Sequence, residues 1–409
     1  MICSVLTNVA KKDINNSQVE YSIFDSIKYV PEYQWNIIIP EDNDLMKYAY
    51  LKAIENSSSE FQKSKYVLFY KDSKLVGAAI FNIIFINGED YNGKKSEFPY
   101  CPMVKLKESI KKRTKLKVLI CGHTHISGNH GFVYSAEIDS TEAYISLSEI
   151  MEKIKNSEKK NGVIHLLLIK DFYDNENKYA NQLLNFNYRQ FKVDPNMILA
   201  INKDWKNFDD YLISMKTKYR TKAKAIVQKS SNLHRITFSK EDIILNSDKI
   251  QELYNNVAEK AKFKMNKYDV NYFIELKSEL QENYEFIGYF EEDKLIAFST
   301  RIMWGINCEA HSVGIDYLMN SKYDLYMNIL YDNVKAAIFH ERKNLILGRT
   351  AMEMKSNIGA VPLDMWCYAR FSDSLSNHLV KPFVMKEKIV EWNQRKPFKI
   401  DYEIEVKLI

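Results

Sequence analysis

The chain has 409 residues, more than one hydrophobic core usually serves, and 46% hydrophobic with 13% aromatic content, so two packed domains are expected and extended disorder is excluded. Its 58 basic and 53 acidic residues leave a formal charge of +5, too small to argue nucleic-acid binding from net charge. Residues 78–86, the longest apolar run, are interrupted by Asn82 and too short to span a bilayer, and the start is polar, so a cytoplasmic protein is expected.

In chain order, residues 70–84 read YKDSKLVGAAIFNII, a polar turn followed by Lys-Leu and an apolar strand. Residues 290–304 repeat the pattern as FEEDKLIAFSTRIMW. After each copy the periodicity predicts a short strand holding Cys and His (119–125 and 308–314) and an amphipathic helix (141–155 and 322–342). A buried strand (163–169 and 345–347), a short helix and another strand (197–202 and 365–369) complete each copy. The order implies two copies of one α/β unit, each an α+β mixed sheet flanked by helices.

The spacing between equivalents shrinks from Leu75 and Leu295 to Cys121 and Cys308, which puts an inserted loop, 87–115, in the first copy. The expected domains are 1–203 and 204–372, with a tail 373–409 that packs on the body through a helical pattern near 384–392 and a strand-like 402–409.

Two motifs mislead. Residues 88–95 (GEDYNGKK) approach a phosphate-binding loop, but Lys95 stands where a hydroxyl would hold magnesium and Pro99 and Pro102 discourage the helix, so a hairpin turn is expected. Cys121-Gly-His-Thr-His125 with His130 matches fragments of a metallophosphatase site whose remaining ligands are missing. No metal is expected, and these histidines are expected to line a cleft between the halves. Cys3, Cys101, Cys121, Cys308 and Cys367 lack CxxC spacing, which argues against disulfides or zinc.

The chemistry concentrates in residues 348–360 (GRTAMEMKSNIGA), where a buried strand gives way to a helix start, a place that collects donors for phosphate or an oxyanion. Arg349 and Lys355 add charge for an anionic donor, and Thr350 with Glu353 forms a capping-box pattern. In the strand 308–316, His311 can take a proton from an amine and Asp316 can hold that amine. Residues 206–229 read as one helix with seven basic residues, Arg220 among them, against Asp209 and Asp210. That surface is either a landing site for phosphates, tRNA or anionic lipid headgroups or an ordinary solvated face.

From residue 65 to 369 the chain resembles the Fem-like members of the GNAT acyltransferase superfamily, a predicted N-acyltransferase group with two fused acyltransferase folds. The resemblance rests on Trp205-Lys-Asn-Phe-Asp-Asp-Tyr-Leu212 leading to Lys218-Tyr-Arg220, on Tyr326-Met-Asn-Ile-Leu-Tyr331, and on Gly348-Arg-Thr350 with Glu353, Lys355, Asn357 and Gly359. It implies two tandem GNAT-like domains, no permanently bound cofactor, and acyl-CoA as cosubstrate, held by Arg349, Thr350, Lys355, Asn357, Gly359 and Arg220 of the second copy. It implies an amine acceptor on a lipid, wall precursor or amino sugar, with peripheral membrane contact. His311, Asp316 or Glu353 would handle the amine proton, and Tyr326 would protonate a departing thiolate by analogy. The superfamily's pyrophosphate loop is not recognisable after Ile315, so a Fem-type ligase using charged tRNA and a catalytically silent recognition module stay open.

Overall fold

The computed structural model describes residues 19–57, 62–87, 115–260, 268–373 and 392–399. The expected loop 87–115, the phosphate-loop-like residues 88–95 and most of the tail lie outside them.

Thirteen strands form one mixed sheet. The first half supplies β1 (Glu20–Phe24), β2 (Lys63–Lys71), β3 (Lys74–Asn87), β4 (Lys115–Cys121), β5 (Phe132–Tyr134), β6 (Leu166–Tyr173) and β7 (Arg189–Ala200). The second supplies β8 (His234–Thr237), β9 (Tyr284–Glu291), β10 (Lys294–Trp304), β11 (Asn307–Ile315), β12 (Asn344–Ile346) and β13 (Val361–Phe371). The described helices are α1 (Glu32–Ile38), α2 (Tyr48–Asn56), α3 (Ser140–Ser157), α4 (Asp174–Ala180), α5 (Phe208–Ser214) and α6 (Thr217–Lys229) in the order of the chain. They continue with α7 (Lys240–Leu245), α8 (Ser247–Lys260), α9 (Val270–Leu280), α10 (Tyr317–Tyr323), α11 (Leu325–Phe339) and α12 (Met352–Asn357). No described helix is long and apolar enough to cross a membrane.

The repeat is visible in detail. The β2–β3 and β9–β10 hairpins each carry a register shift just after the Lys-Leu pair, beside Val76 and Ile296. The carbonyl of Val76 accepts the Ser135 N–H at 2.8 Å, and that of Ile296 accepts the Asp316 N–H at 2.9 Å. The same irregularity thus receives the same bond in both copies.

The halves interlock through their last strands. The strand order is β1-β2-β3-β4-β6-β13-β7-β12-β11-β10-β9-β8, with β5 paired to β3. The return strand of the second half, β13, therefore lies between β6 and β7 of the first. In turn β7 pairs with β12 of the second half. Each half completes its sheet with a strand of the other.

One face of the sheet is covered by helices of both halves, and Trp35 and Tyr50 share a buried cluster there with Phe273, Phe298 and Trp304. On the opposite face α3 packs over the first half, while α5, α6 and α11 pack over the second. Burying these apolar faces supplies the main stabilisation, at about 25 cal/mol per Å² of apolar area.

Two expected helices are broken. Residues 206–229 form α5 and α6, because Met215 turns extended (ψ 147°) and bridges to Phe398 of the tail. Asn207 caps α5 reciprocally with Asp210. Residues 322–342 are split by Asp324 in the left-handed region (φ 48°), a conformation Asp tolerates better than most residues. The Phe398 ring packs on Trp205 and Tyr211 at 5.4 and 5.8 Å between centroids. Gly359 (φ +97°) lies against that ring, and a Cβ there would fall 2.1 Å from it.

Candidate functional site

In each half two parallel strands start paired and then diverge. Strands β4 and β6 pair as far as Cys121 and Ile169, and β11 and β12 as far as Glu309 and Ile346. The two resulting notches are built differently.

Residues 122–131 fill the first. The chain leaves β4 with Gly122 N–H bonded to the Ile80 carbonyl (3.1 Å) and returns with the Gly131 carbonyl accepting the Ile80 N–H (2.8 Å). Lys170 Nζ reaches the Ile126 carbonyl at 3.0 Å, its stem so close to Gly122 that a Cβ there would sit 2.9 Å from it. His123 Nε2 donates to the Leu45 carbonyl (2.7 Å) and His130 Nδ1 bonds Asn43 Oδ1 (3.0 Å). Burial pushes His123 down to about 4 and His130 to about 3, so both are neutral at pH 7. His125 bonds the Tyr268 hydroxyl across the halves. Among the described residues no group of three or more His, Cys, Asp or Glu is placed to hold a metal ion.

The second notch is not plugged in this way. His311 forms a bulge, since Thr300 pairs with Ser312 while Arg301 pairs with Ala310. Residues 310–313 are only partly buried. Both His311 nitrogens are engaged, with the Tyr272 hydroxyl at 2.7 Å and Thr300 Oγ1 at 3.1 Å, and burial lowers the imidazole to about 3.

Glu309 stands at the point of divergence. It occupies one row across the sheet with Tyr284, Ile302, Ile346 and Ile198. Burial pushes its carboxyl up to about 8, against the pull of the Trp304 indole and the Lys355 ammonium. Lys355, on α12, donates to the Gly348 carbonyl at 3.2 Å, and burial brings it down to about 7 although Glu309 favours its charge. Two groups that titrate near neutrality, each favouring the other's charged form, thus lie where β11 parts from β12.

Several buried polar atoms here lack a hydrogen-bond partner of good geometry: Glu309 Oε2, Trp304 Nε1, Tyr50 OH, Tyr284 OH and Asn196 Oδ1. Trp304 still hydrogen-bonds Glu309, Tyr50 bonds Tyr272 and Tyr284 bonds Thr300, each in looser geometry.

At the ends of β6 and β12, Asp171 and Arg349 join the halves. Asp171 is fully buried with φ 72° and bonds both Lys170 and Arg349. Burial alone would raise its carboxyl, but the Arg349 and Lys170 charges outweigh it and hold it below the usual range.

The expected site residues divide accordingly. His311, Lys355 and Arg349 lie around the second notch, although Arg349 has Asp171 as its counter-ion. Asp316 is engaged as a cap, accepting the Leu318 N–H of α10 at 2.9 Å. Asp139 caps α3 likewise. Thr350 does not cap: α12 follows Ala351, left-handed at φ 54° and without a side-chain cap bond, and Glu353 pairs instead with Arg395 of the tail. That correction follows from the turn, which carries Thr350 one residue short of the cap position. Asn357 bonds the Glu353 carbonyl at 3.0 Å, and Gly359 serves packing against Phe398. Tyr326 borders two apolar clusters, and burial raises it to about 12. Arg220 is partly exposed on α6 beside exposed Lys218, Lys222 and Lys224. Glu309 is the residue the sequence reading passes over; its signal is a lone carboxylate next to Cys308 in an otherwise buried strand start.

Neither a protein-family profile nor a curated protein matches the sequence. Solved structures do. FemX is 13% identical with a TM-score of 0.55, over 88% of this chain and 100% of that one. A tandem GNAT protein from the clavulanic acid biosynthesis pathway is 7% identical with a TM-score of 0.51, over 87% of this chain and 99% of that one. At such identities the likeness concerns the fold alone. The chain has a Fem-like tandem GNAT fold.

Proposed function

We propose that the protein is an N-acyltransferase working at the second notch, with Glu309 as its general base. The observation that carries this reading is the buried Glu309, raised to about 8, at the divergence of β11 and β12. A base of that strength is matched to an amine near neutral pH. Glu309 takes a proton from the amine, the nitrogen attacks the acyl carbonyl carbon, and the carbon–sulfur bond of a thioester breaks. The departing thiolate recovers the proton from Glu309, which resets the site. Backbone along the β11 edge that β12 no longer covers supplies donors to the tetrahedral oxyanion. The first notch is filled by residues 122–131 and Lys170, which supports assigning the chemistry to the second.

Acyl-CoA is the donor of this reading. Arg349, Lys355, Thr350, Asn357, Gly359 and Arg220 stay as its candidate contacts, and His311, Asp316, Glu353 and Tyr326 as candidate helpers of proton transfer. A second reading, a charged-tRNA ester as donor, is favoured by Asp316 and Asp139. Their carboxylates already occupy helix starts where a pyrophosphate would seek backbone donors. Incubating the protein with acyl-CoA or aminoacyl-tRNA and an amine panel separates the two. Free coenzyme A with an N-acyl product supports the first reading, ribonuclease-sensitive product supports the second, and no amide from either donor rejects both.

A further inference from the structure

Helix α6 carries a charge pattern unlike that of the other long helices. Between Asp210 and Glu241 the chain holds no acidic residue, and α6 itself holds Lys218, Arg220, Lys222, Lys224 and Lys229. Lysines on α3 and α8 pair with a carboxylate three residues away in the same helix, Lys155 with Glu152 and Lys249 with Glu252. On α6 only Lys229 has an ion pair among the described residues, with Asp324 at 2.6 Å. Lys218 and Lys222, like Arg220 and Lys224, are like charges four residues apart, an arrangement that weakens a helix.

The placement of these charges fits an extended anionic surface. Lys218, Lys222 and Lys229 follow one line along the helix, at separations of four and seven residues, and all three are exposed together with Ala225 between them. Ala223 and Ile226 face the core. The tail extends the ridge. Its Lys399 N–H bonds the Ser214 carbonyl (3.0 Å) and the Lys216 N–H bonds the Pro397 carbonyl (2.8 Å), which sets exposed Lys396 and Lys399 beside exposed Lys216 at the head of α6. We propose that this ridge docks the protein on an anionic lipid bilayer. A leaflet of acidic headgroups supplies negative charge at no fixed spacing, which suits ammoniums on flexible stems, at about fivefold in affinity per basic residue. Ile213, 54% exposed and next to Ser214, offers an aliphatic side chain to the headgroup region. The ridge is poorly equipped for nucleic acid, because Tyr219, the one aromatic residue of α6, packs against the core cluster and leaves no ring on the helix for a base to stack on. Docking needs no turnover, so it stands apart from the N-acyltransferase reading.

The test is co-sedimentation of the full chain with vesicles of phosphatidylcholine alone or with about one third phosphatidylglycerol. The protein should bind the acidic vesicles and leave the neutral ones, and high salt should release it. The triple variant Lys218→Ala, Lys222→Ala, Lys224→Ala, which favours the helix by propensity, should bind about 100-fold more weakly. The control Lys159→Ala, Lys160→Ala, Lys178→Ala removes the same charge from exposed positions of the first half and should bind within about twofold of the parent. Matching thermal transitions by circular dichroism separate lost binding from lost folding. Absence of binding to acidic vesicles overturns the proposal. An equal loss in both variants does so too, since net charge would then be the cause. Failure to sediment with vesicles alongside tight binding of bulk tRNA, lost in the triple variant, overturns it in favour of nucleic acid.

Discussion

The buried carboxylate of Asp171, near the end of β6, is bound by the guanidinium of Arg349, three residues past β12, so one ion pair joins the two halves just beyond their parallel strand pairs. Its second cation, Lys170, is also tied into the loop that fills the first notch. Asp171→Ala should cost about 3–5 kcal/mol, since it leaves two cations beside an apolar residue. The double variant Asp171→Ala with Arg349→Met should be less destabilised than the sum of its parts, as urea unfolding would measure. Additive losses would mean that the two groups act independently.

Glu309→Gln should reduce turnover by about 10²–10⁴-fold, the usual contribution of a positioned base. In the parent protein the rate should rise with pH through about 8, the region where Glu309 loses its proton, and that limb should vanish in the variant. Stability moves the other way. With a folded value near 8 against an ordinary 4.5, the native state holds the extra proton, and this contribution is lost as pH rises toward 8. Glu309→Gln should therefore be more stable than the parent above pH 8, by about 1–3 kcal/mol, in denaturant titrations. A variant that unfolds at the same denaturant concentration at pH 6 and pH 9 as the parent would contradict this burial argument.

Three histidines held in their neutral form should make the fold acid-labile. His123, His130 and His311 are held at about 4, 3 and 3 against an ordinary 6.5, so unfolding lets all three take up protons. Their stabilisation is complete above pH 6.5 and lost as pH falls toward 4, with a slope of at most about 4 kcal/mol per pH unit for three protons. Circular dichroism during acid titration should show the loss. A stability that stays flat from pH 7 to 4.5 would refute it.

Gly359→Ala should cost about 2–3 kcal/mol, because its φ of +97° strains an L-residue and the new Cβ would meet Phe398. Limited proteolysis should then cut sooner near residues 392–399. Phe398→Ala should relieve part of the penalty in the double variant, and failure to do so would leave the backbone as the sole cause.

The exchange of β7 and β13 predicts that fragments 1–203 and 204–409 do not unfold cooperatively when each is expressed alone. Mixing them should restore a cooperative thermal transition. Two independently melting fragments would be the contrary outcome.

Much of the fold was legible because its signals are local. The Lys-Leu hairpins, the helix before the second strand and the tandem arrangement all follow from periodicity and turn chemistry within short windows. Strand exchange was not legible: β7 and β13 have the same alternation whichever neighbour they pair with, and pairing is settled by distant partners. At the candidate site, His311 and Lys355 stand out in the sequence because their residue types advertise chemistry. Glu309 does not stand out in the sequence, since its raised proton affinity depends on burial beside Trp304 and Lys355, a tertiary fact. Thr350 and Glu353 misled because Ser/Thr-x-x-Glu describes a cap only if the chain enters the helix at that residue, and here Ala351 takes the position.

The placement of β13 also constrains how the protein is made. Strands β6 and β7 leave the ribosome long before Val361–Phe371 exists, so the strand destined to lie between them is among the last described segments to be synthesised. Until it arrives, both neighbours present bare backbone edges that invite pairing with other chains. The nascent first half thus stays open to such pairing while the chain between Ala200 and Val361 is made, and its protection in the cell falls to whatever holds those edges apart over that interval.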